Sequence, residues 1–561
     1  MKFKYLTASL FASALFSLTG CVGDLDVFPL DEQVISADKA YSDAESYTKA
    51  LNKIYSVWAL SGQDGSGSSD ISGLDPGNTV MLRCWFTLQE STTDEAKCAW
   101  NDSWVSAINS ITWSTSQVES VEGAYQRAMY IVALVNEFMK NIPNAPAEIN
   151  QAQYAAEARF CRALAYYTLM DLFARPPFIT EENYSLAPSQ ISRPELFNWI
   201  ETELTSIYNA LPKKRSQYGR ADQHTVDALL ARMYLNAEVY TGTARYTDCI
   251  SRCNSIITSN DYELADKYAE LFMANNGENP NASKEIIFPI IADGNNTRSY
   301  GIGAIILGSR SSSESSEATY GCVAGWDGFR STGNLVRNFE FPNSDESTWT
   351  ADNILDKRGI FYSNNRSIDI TTSAQGTFTK EGWAVYKFTN LNSDGSKGKN
   401  ATFPDTDFPL FRLADIYLMY AEATARGGQG GDLQQAATYI NLLRERGYGN
   451  NNHSIDASWL TANAPVAGSN ASVKYGNILN ERSRELYWEA TRRTDLIRFG
   501  LFTSNTYTWA EKGGVITGVG VKDRYNIFPI PESDLSVNGS LTQNEGCLLY
   551  TSPSPRDPKT S

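Results

Sequence analysis

Histidine is almost missing from this chain: of 561 residues only His224 and His453 are histidine. That scarcity removes most acid–base and nucleophile-activating schemes, which lean on imidazole near neutral pH. No G-x-S-x-G, H-E-x-x-H or phosphate-cradling P-loop pattern occurs either. Zinc-type ligand spacing is absent for the same want of histidine. Cysteine offers no framework. Cys249 and Cys253 stand four apart on a helical pattern, a poor geometry for a disulfide. With Cys84, Cys98, Cys161 and Cys322 they are read as buried thiols. Positive charge is also short, 48 Lys and Arg against 64 Asp and Glu, for a formal net charge of −16. Such a field argues against nucleic acid and against adsorption to anionic lipid. Beyond the N-terminus no run is long or apolar enough to span a bilayer.

What is present begins with Lys2, Lys4 and an apolar run from Tyr5 to Leu18, ending in Leu18-Thr19-Gly20-Cys21. This reads as a signal peptide over residues 1–20. Small residues leading into a cysteine indicate lipoprotein processing, with Cys21 as the lipidated first residue of the mature chain. One lipidated residue anchors without spanning. Asp24 and Asp26 follow closely, similar to an acidic export signal for the cell surface.

The next long feature is EARFCRALAYYTLMDLFARPPFIT, Glu157 to Thr180. From Ala163 to Phe173 only Thr168 and Asp171 are plainly polar, so the helix is apolar on nearly every side and belongs inside a bundle. Pro176-Pro177 must end it. Tyr41 to Leu60 and Val118 to Met139 also have helical periodicity, and Pro194 to Leu211 reads as a further helix. His224 to Val239 with Tyr246 to Ser259, and Leu413 to Arg426 with Leu433 to Arg446, form helix pairs of tetratricopeptide character. Such pairs bury little alone and must stack. One more helix is expected from Ile478 to about Arg493. Between about Pro280 and Phe411 the pattern changes to a strand at Glu285 to Ile291 and then irregular, Gly- and Ser-rich chain. Irregular surface on a rigid scaffold is where ligand contacts gather.

The Glu157–Thr180 stretch resembles the signature helix of the SusD/RagB family, outer-membrane nutrient-binding lipoproteins of Gram-negative bacteria. The family pattern runs roughly E-x-R-F-L-R-A-x-x-Y-x-x-L-x-x-x-F-G-x-x-P. Glu157, Arg159, Phe160, Arg162, Ala163, Tyr166, Leu169, Phe173 and Pro177 match it, while Cys161 replaces the usual Leu and Ala174 the usual Gly. Glu481 to Gly500 and Tyr525 to Gly546 resemble the family's C-terminal hallmarks. The resemblance implies a mainly α fold: a tetratricopeptide-like helical repeat scaffold with a large irregular loop and short-strand subdomain. Residues 21–546 are then one composite domain, with about 22–275 and 411–500 as scaffold and about 280–410 as a ligand-binding insertion. The tail 547–561, CLLYTSPSPRDPKTS, differs in character from all that precedes it and is expected not to be native coding sequence.

Aromatics are plentiful, with 30 Tyr, 24 Phe and 12 Trp. A Trp or Tyr ring covers the C–H face of a sugar while Arg, Asn and Asp meet its hydroxyls. Trp85, Trp104 and Trp113 lie in apolar or helix-like settings and are read as core. Trp100, in a loop or helix-cap setting after Thr92-Thr93-Asp94-Glu95, matches the TTDEA-x-x-x-W region of the family's starch-binding branch. By that resemblance Arg83 is the site arginine, Trp100 the first member of an aromatic arc and Asn101 its polar partner. Tyr300 and Trp326 complete the arc.

Three readings follow. The first is a cell-surface lipoprotein that binds oligosaccharide, an α-glucan by resemblance, and delivers it to a SusC-like TonB-dependent outer-membrane transporter. The second, through the RagB branch, is a binder of peptides or another nutrient. The third is a glycoside hydrolase, which needs two carboxylates across a cleft, and nothing singles out such a pair. Glu481, Glu485 and Glu489, interleaved with Arg482, Arg484 and Arg492, are read as ion pairs on a helix face. No cofactor is expected. Asp64 to Asp75 lacks the glycine of a calcium loop and reads as a mobile loop. Asp293 to Asn296 is compatible with structural calcium, which is not predicted.

Overall fold

A computed structural model of the chain describes residues 40–546 apart from 116–117, 315 and 374–375. Cys21, the signal peptide and the tail 547–561 lie outside the described residues. Helices dominate: α1 Ala44–Ser56, α2 Met81–Glu90, α3 Ser103–Ser110, α4 Glu119–Asn141, α5 Gln151–Phe173, α6 Arg193–Ile207, α7 Gln223–Leu235 and α8 Tyr246–Ser259. The longer helices after the irregular region are α9 Leu413–Ala425, α10 Leu433–Tyr448, α11 Gly476–Leu486 and α12 Arg492–Arg498. The strands that matter here are β1 Ala96–Cys98, β2 Ile286–Ile290, β3 Phe329–Ser331 and β4 Phe408–Arg412.

The helix apolar on all sides, α5, is the central one. Every residue from Phe160 to Phe173 is buried, and α5 packs against both α4 and α6. It starts earlier than the signature stretch, at Gln151, because the Asn150 side chain accepts from the Gln153 N–H at 3.2 Å and caps it. Its C-terminal carbonyls are all met. Arg193 donates to Met170 and Asp171 at 3.1 Å, the Phe528 N–H to Leu172 at 2.7 Å, and the Asn544 amide to Phe173 at 2.8 Å. The last two donors come from the far end of the chain, so the C-terminal segment closes onto α5.

The expected helix pairs form: α7 packs on α8, α8 on α9, and α9 on α10. Asp222 caps α7 in a reciprocal box with Thr225, and Asp432 caps α10. The stretch His224–Val239 is broken at Asn236, whose side chain donates back to the Arg232 carbonyl at 2.9 Å and accepts from Arg498 at 2.8 Å. A larger correction concerns Ile478 to Arg493, which is two helices. Between α11 and α12, Trp488 and Ala490 take φ of 63° and 58°. Trp488 is buried edge-on against Phe86, ring centroids 5.5 Å apart, so its packing overrides the helical pattern.

Candidate functional site

Two short strands bring the aromatic candidates together. β1 and β3 pair antiparallel, with Cys98 opposite Phe329, and the Ala99 N–H extends the ladder to the Gly328 carbonyl at 2.8 Å. Trp100 and Trp326 therefore leave the same end of the same ribbon. The Trp100 indole N–H donates to the Trp326 carbonyl at 2.6 Å. The Trp326 N–H in turn donates at 2.8 Å to Leu307, in the short helix Ile302–Gly308, and Tyr300 stands just before that helix. Gly328 is required by close approach: a methyl there would run into the Trp100 indole.

The rings form a continuous, bent row. Trp100 and Trp326 have centroids 6.4 Å apart with planes 51° to each other. Trp326 and Tyr300 follow at 5.3 Å and 69°. All three are partly exposed. Behind them, Trp104 and Phe329 meet Trp100 edge-on at 6.3 and 5.0 Å, which fixes its orientation. The Arg83 guanidinium lies 5.1 Å from the Trp100 ring centroid, a cation–π distance. It is held by a 2.9 Å hydrogen bond to the Gly77 carbonyl. Burial draws the Arg83 pKa below its ordinary value. Nearby Glu119 is pushed up, by burial first and then by Asp75.

Four of the five candidates, Arg83, Trp100, Trp326 and Tyr300, are thus contiguous. Asn101 is exposed next to Trp100, just ahead of α3. Trp85, Trp104 and Trp113 are buried, in agreement with their apolar settings, and the six described cysteines are free and buried. Sequence reasoning missed three neighbours. Phe403 continues the row at 5.4 Å from Tyr300, and Arg298 lies over Phe403 at 5.8 Å. Asp327 takes φ of 52°, with its buried Oδ1 unpartnered, a strained polar residue beside Trp326. Arg298, two residues before Tyr300, and Asp327, next to Trp326, carried a local sequence signal; Phe403 carried none.

The acidic residues near the C-terminus do not pair chiefly along their own helix. Glu481, Glu485 and Glu489 are buried and paired mainly across elements. Glu485 meets Arg358 at 3.0 Å, Arg412 at 2.6 Å and Arg446. Glu481 meets Arg358 and Arg444, both at 2.8 Å, with Arg484 its one partner on the same helix. Glu489, beyond the end of α11, meets Lys387 at 2.6 Å and Arg412 at 2.7 Å. Burial pushes the carboxyls of Glu481 and Glu485 up, but the surrounding guanidiniums outweigh it and hold both well below the carboxylate range. Such groups have no proton to donate and no access to a substrate.

A cavity of about 400 Å³ is lined by other residues, among them Asp293, Lys399, Asp405 and Asp407. Its acids do not assemble a metal site: the Lys399 ammonium lies 2.7 Å from Asp293, 3.8 Å from Glu278 and 3.9 Å from Asp405. Among the described residues no group of three or more His, Cys, Asp or Glu is arranged to hold a metal ion. Nor, among them, is any helix long and apolar enough to cross a membrane.

Comparison with known proteins agrees with this architecture. The family model described as "SusD family" matches residues 227–546, and one described as "Starch-binding associating with outer membrane" matches residues 79–235. The chain belongs to the SusD family. It is 34% identical to the starch-binding protein SusD of Bacteroides thetaiotaomicron, over 97% of this chain and 100% of that one. A SusD-like protein of Bacteroides ovatus is 23% identical over 78% of this chain and 83% of its own length. Among solved structures, a SusD-like carbohydrate-binding protein of Bacteroides fragilis superposes with a TM-score of 0.68 at 18% identity, covering 90% and 100% of the two chains. The surface glycan-binding protein A of Bacteroides thetaiotaomicron, in complex with laminarihexaose, gives 0.65 at 18% identity, covering 90% and 99%.

Proposed function

We propose that this chain is a surface glycan-binding protein that captures α-glucan and passes it to a TonB-dependent transporter of the SusC type. The observation that carries the proposal is the bent row Trp100, Trp326, Tyr300, with the Arg83 cation at one end and Asn101 exposed beside it. Planes turned 51° and then 69° from one another offer successive faces to a curving chain of sugars. A flat β-linked chain lies against one ring and leaves the next. The relative named as a starch-binding protein matches over its whole length, which supports the glucan reading. Cys21 supplies the lipid tether at the outer membrane, where the description of the second matching family places its members. Binding without turnover fits the acids near the C-terminus: Glu481, Glu485 and Glu489 are buried and neutralised by basic side chains.

Open sites leave much of a glycan hydrated, so dissociation constants of roughly micromolar to millimolar are expected. Native electrophoresis through gels containing amylopectin, mixed-linkage β-glucan or xylan tests the proposal. Retardation is expected only in amylopectin. Equal mobility in all three gels and in a blank gel would remove the glycan reading. Release of reducing ends on long incubation would make the protein an enzyme instead.

A further inference from the structure

Between the helix that carries Arg83 and the strand that leads into Trp100 lies a pair of carboxyls that the binding reading does not use. Glu90 is the last residue of α2, the helix that carries Arg83, and Glu95 precedes β1, the strand that leads into Trp100. The turn between them is tight: the Thr93 N–H and hydroxyl both bond the Glu90 carbonyl, at 2.9 and 2.7 Å, and the Glu95 N–H bonds the Thr93 hydroxyl at 3.1 Å. Both glutamates are 0–1% exposed. Neither Glu90 oxygen, nor Oε2 of Glu95, receives a well-formed hydrogen bond from a fixed donor. Glu90 has the Glu95 carboxyl as its close polar neighbour, with the Ala490 N–H turned towards it.

The cations nearby are already engaged. Arg492 holds Asp94 with two bonds, at 2.7 and 2.6 Å, and comes no nearer to Glu95 than 3.5 Å. Lys387 gives its protons to Glu489 and the Tyr487 carbonyl, both at 2.6 Å, with a longer bond to the Glu485 carbonyl. Lys97, on β1 itself, points its ammonium at the carbonyls of Ser91 and Asn109, at 2.9 and 3.1 Å. The Tyr507 hydroxyl bonds Asp94, and Glu511 adds only negative charge near Lys97. Ser483 gives Glu95 Oε1 one neutral hydrogen bond at 2.6 Å. Two ionised carboxylates here have no spare cation between them, and a buried unpaired charge is neutralised by taking a proton.

We infer that Glu90 and Glu95 share one proton, and that this bond clasps the helix bearing Arg83 to the strand bearing Trp100. The pair is a positioning device for the binding face, and the clasp opens as pH rises. Burial pushes Glu95 up to about 7 and Glu90 well above its ordinary value; Glu95 raises Glu90 further, while the hydrogen bond with Glu90 offsets part of the rise at Glu95, and the two titrate as a unit. In the unfolded chain both ionise near about 4.3. The folded values are the higher ones, so the contribution to stability is complete below that pH and is lost as pH rises through about 7 and beyond.

Its consequence for glycan rests on the function proposed above, so the test has arms that need no glycan. Infrared spectra in heavy water at neutral pH should show the carbonyl stretch of protonated carboxylic acid in the parent protein and a weaker band in Glu90→Gln. Urea midpoints and near-ultraviolet circular dichroism should change more steeply between about pH 6 and about pH 9 in the parent than in Glu90→Gln. Glu95→Gln should behave in the same way, which guards against a folding defect in one variant. Amylopectin retention should weaken several-fold over that range in the parent alone. An unchanged infrared band in both variants, or equal pH dependence in all three proteins, overturns the clasp. Absence of retention at every pH with the other arms intact would sink the glycan reading and leave the clasp standing.

Discussion

Two regions of this molecule handle arginine in opposite ways. In the seam between β4, α10 and α11, the buried Arg358 and Arg412 and the half-buried Arg446 meet Asp356, Glu285, Glu481, Glu485 and Glu489. Each guanidinium has at least two carboxylate partners there. At the aromatic row Arg83 has no carboxylate partner within ion-pair distance among the described residues; it has a backbone carbonyl and a tryptophan face. The seam is saturated and joins elements distant in sequence, so it contributes stability and specifies how they meet. The row leaves donors and ring faces unfilled, which a ligand can use. Charge saturation separates scaffold from site in this fold better than residue type does.

The sharpest way to break the contrast is at the seam. Arg412→Met leaves Glu285, Glu485 and Glu489 buried without their shared cation. Removal of one partner from a buried network is expected to destabilise by about 3–5 kcal/mol, seen as a lower urea midpoint. Amylopectin retention should persist in whatever fraction stays folded. Loss of retention in fully folded protein would mean the seam takes part in binding.

A milder probe uses acid. Burial pushes the Glu422 carboxyl up, but Arg498, at 2.7 and 2.8 Å, and Arg426 prevail and hold it at about 2. The folded value lies below the unfolded one, so its stabilisation is present above about pH 4.3 and disappears as pH falls through about 2. Depression of this size corresponds to about 3 kcal/mol. Glu422→Gln should therefore lower the urea midpoint at pH 7 and converge with the parent near pH 2. Parallel curves across the range would show that Glu422 gains nothing from its arginines.

At the row the expected effects shift from stability to binding. Trp326→Ala removes the central ring, which touches both Trp100 and Tyr300, and should weaken glucan binding by at least about 2 kcal/mol, the scale of an aromatic hot spot. Its thermal midpoint should move little, because the ring is partly exposed. Asn101→Ala removes a neutral hydrogen-bonding group and should reduce affinity by about 1 kcal/mol. Isothermal titration with maltoheptaose reads both. An Asn101→Ala loss equal to that of Trp326→Ala would move the centre of the site off the rings and onto the rim.

Much of this division was legible in the sequence, and the illegible parts share a cause. The burial of α5 follows from the near-absence of polar residues between Ala163 and Phe173, and the pairing of α7 with α8 from small and aromatic residues at helical spacing. The row was reachable through a local motif around Trp100, yet its neighbour Phe403 was not. Phe403 lies more than a hundred residues from Tyr300 in the chain and carries no motif. The break at Trp488 was hidden because its residues have ordinary helical preferences, and only packing on Phe86 and Phe329 decides their backbone. Spacing at i, i+4 made Glu481, Glu485 and Glu489 look like ion pairs along one helix face. Their partners Arg358, Arg412 and Arg446 come from other segments, which one-dimensional spacing does not show.

The smallest expected effect sharpens the scaffold side of the contrast at one residue. Ala174, where the family usually has glycine, follows the last turn of α5 with φ 61° and ψ −55°. The Arg175 N–H reaches back to the Phe173 carbonyl at 2.7 Å, so residues 173–175 form a γ-turn of the strained hand. An alanine there carries a Cβ that the conformation disfavours, and the carbonyl ties from Arg193, Phe528 and Asn544 hold it in place. Ala174→Gly removes that strain, worth about 1–3 kcal/mol, but widens the unfolded ensemble by about 0.4–1 kcal/mol. The net expectation is a stabilisation of about 1 kcal/mol with unchanged glucan affinity, measured by urea denaturation and titration on the same preparation. A destabilised glycine variant would show that the ties on α5, rather than the residue type, set the conformation at 174 without strain.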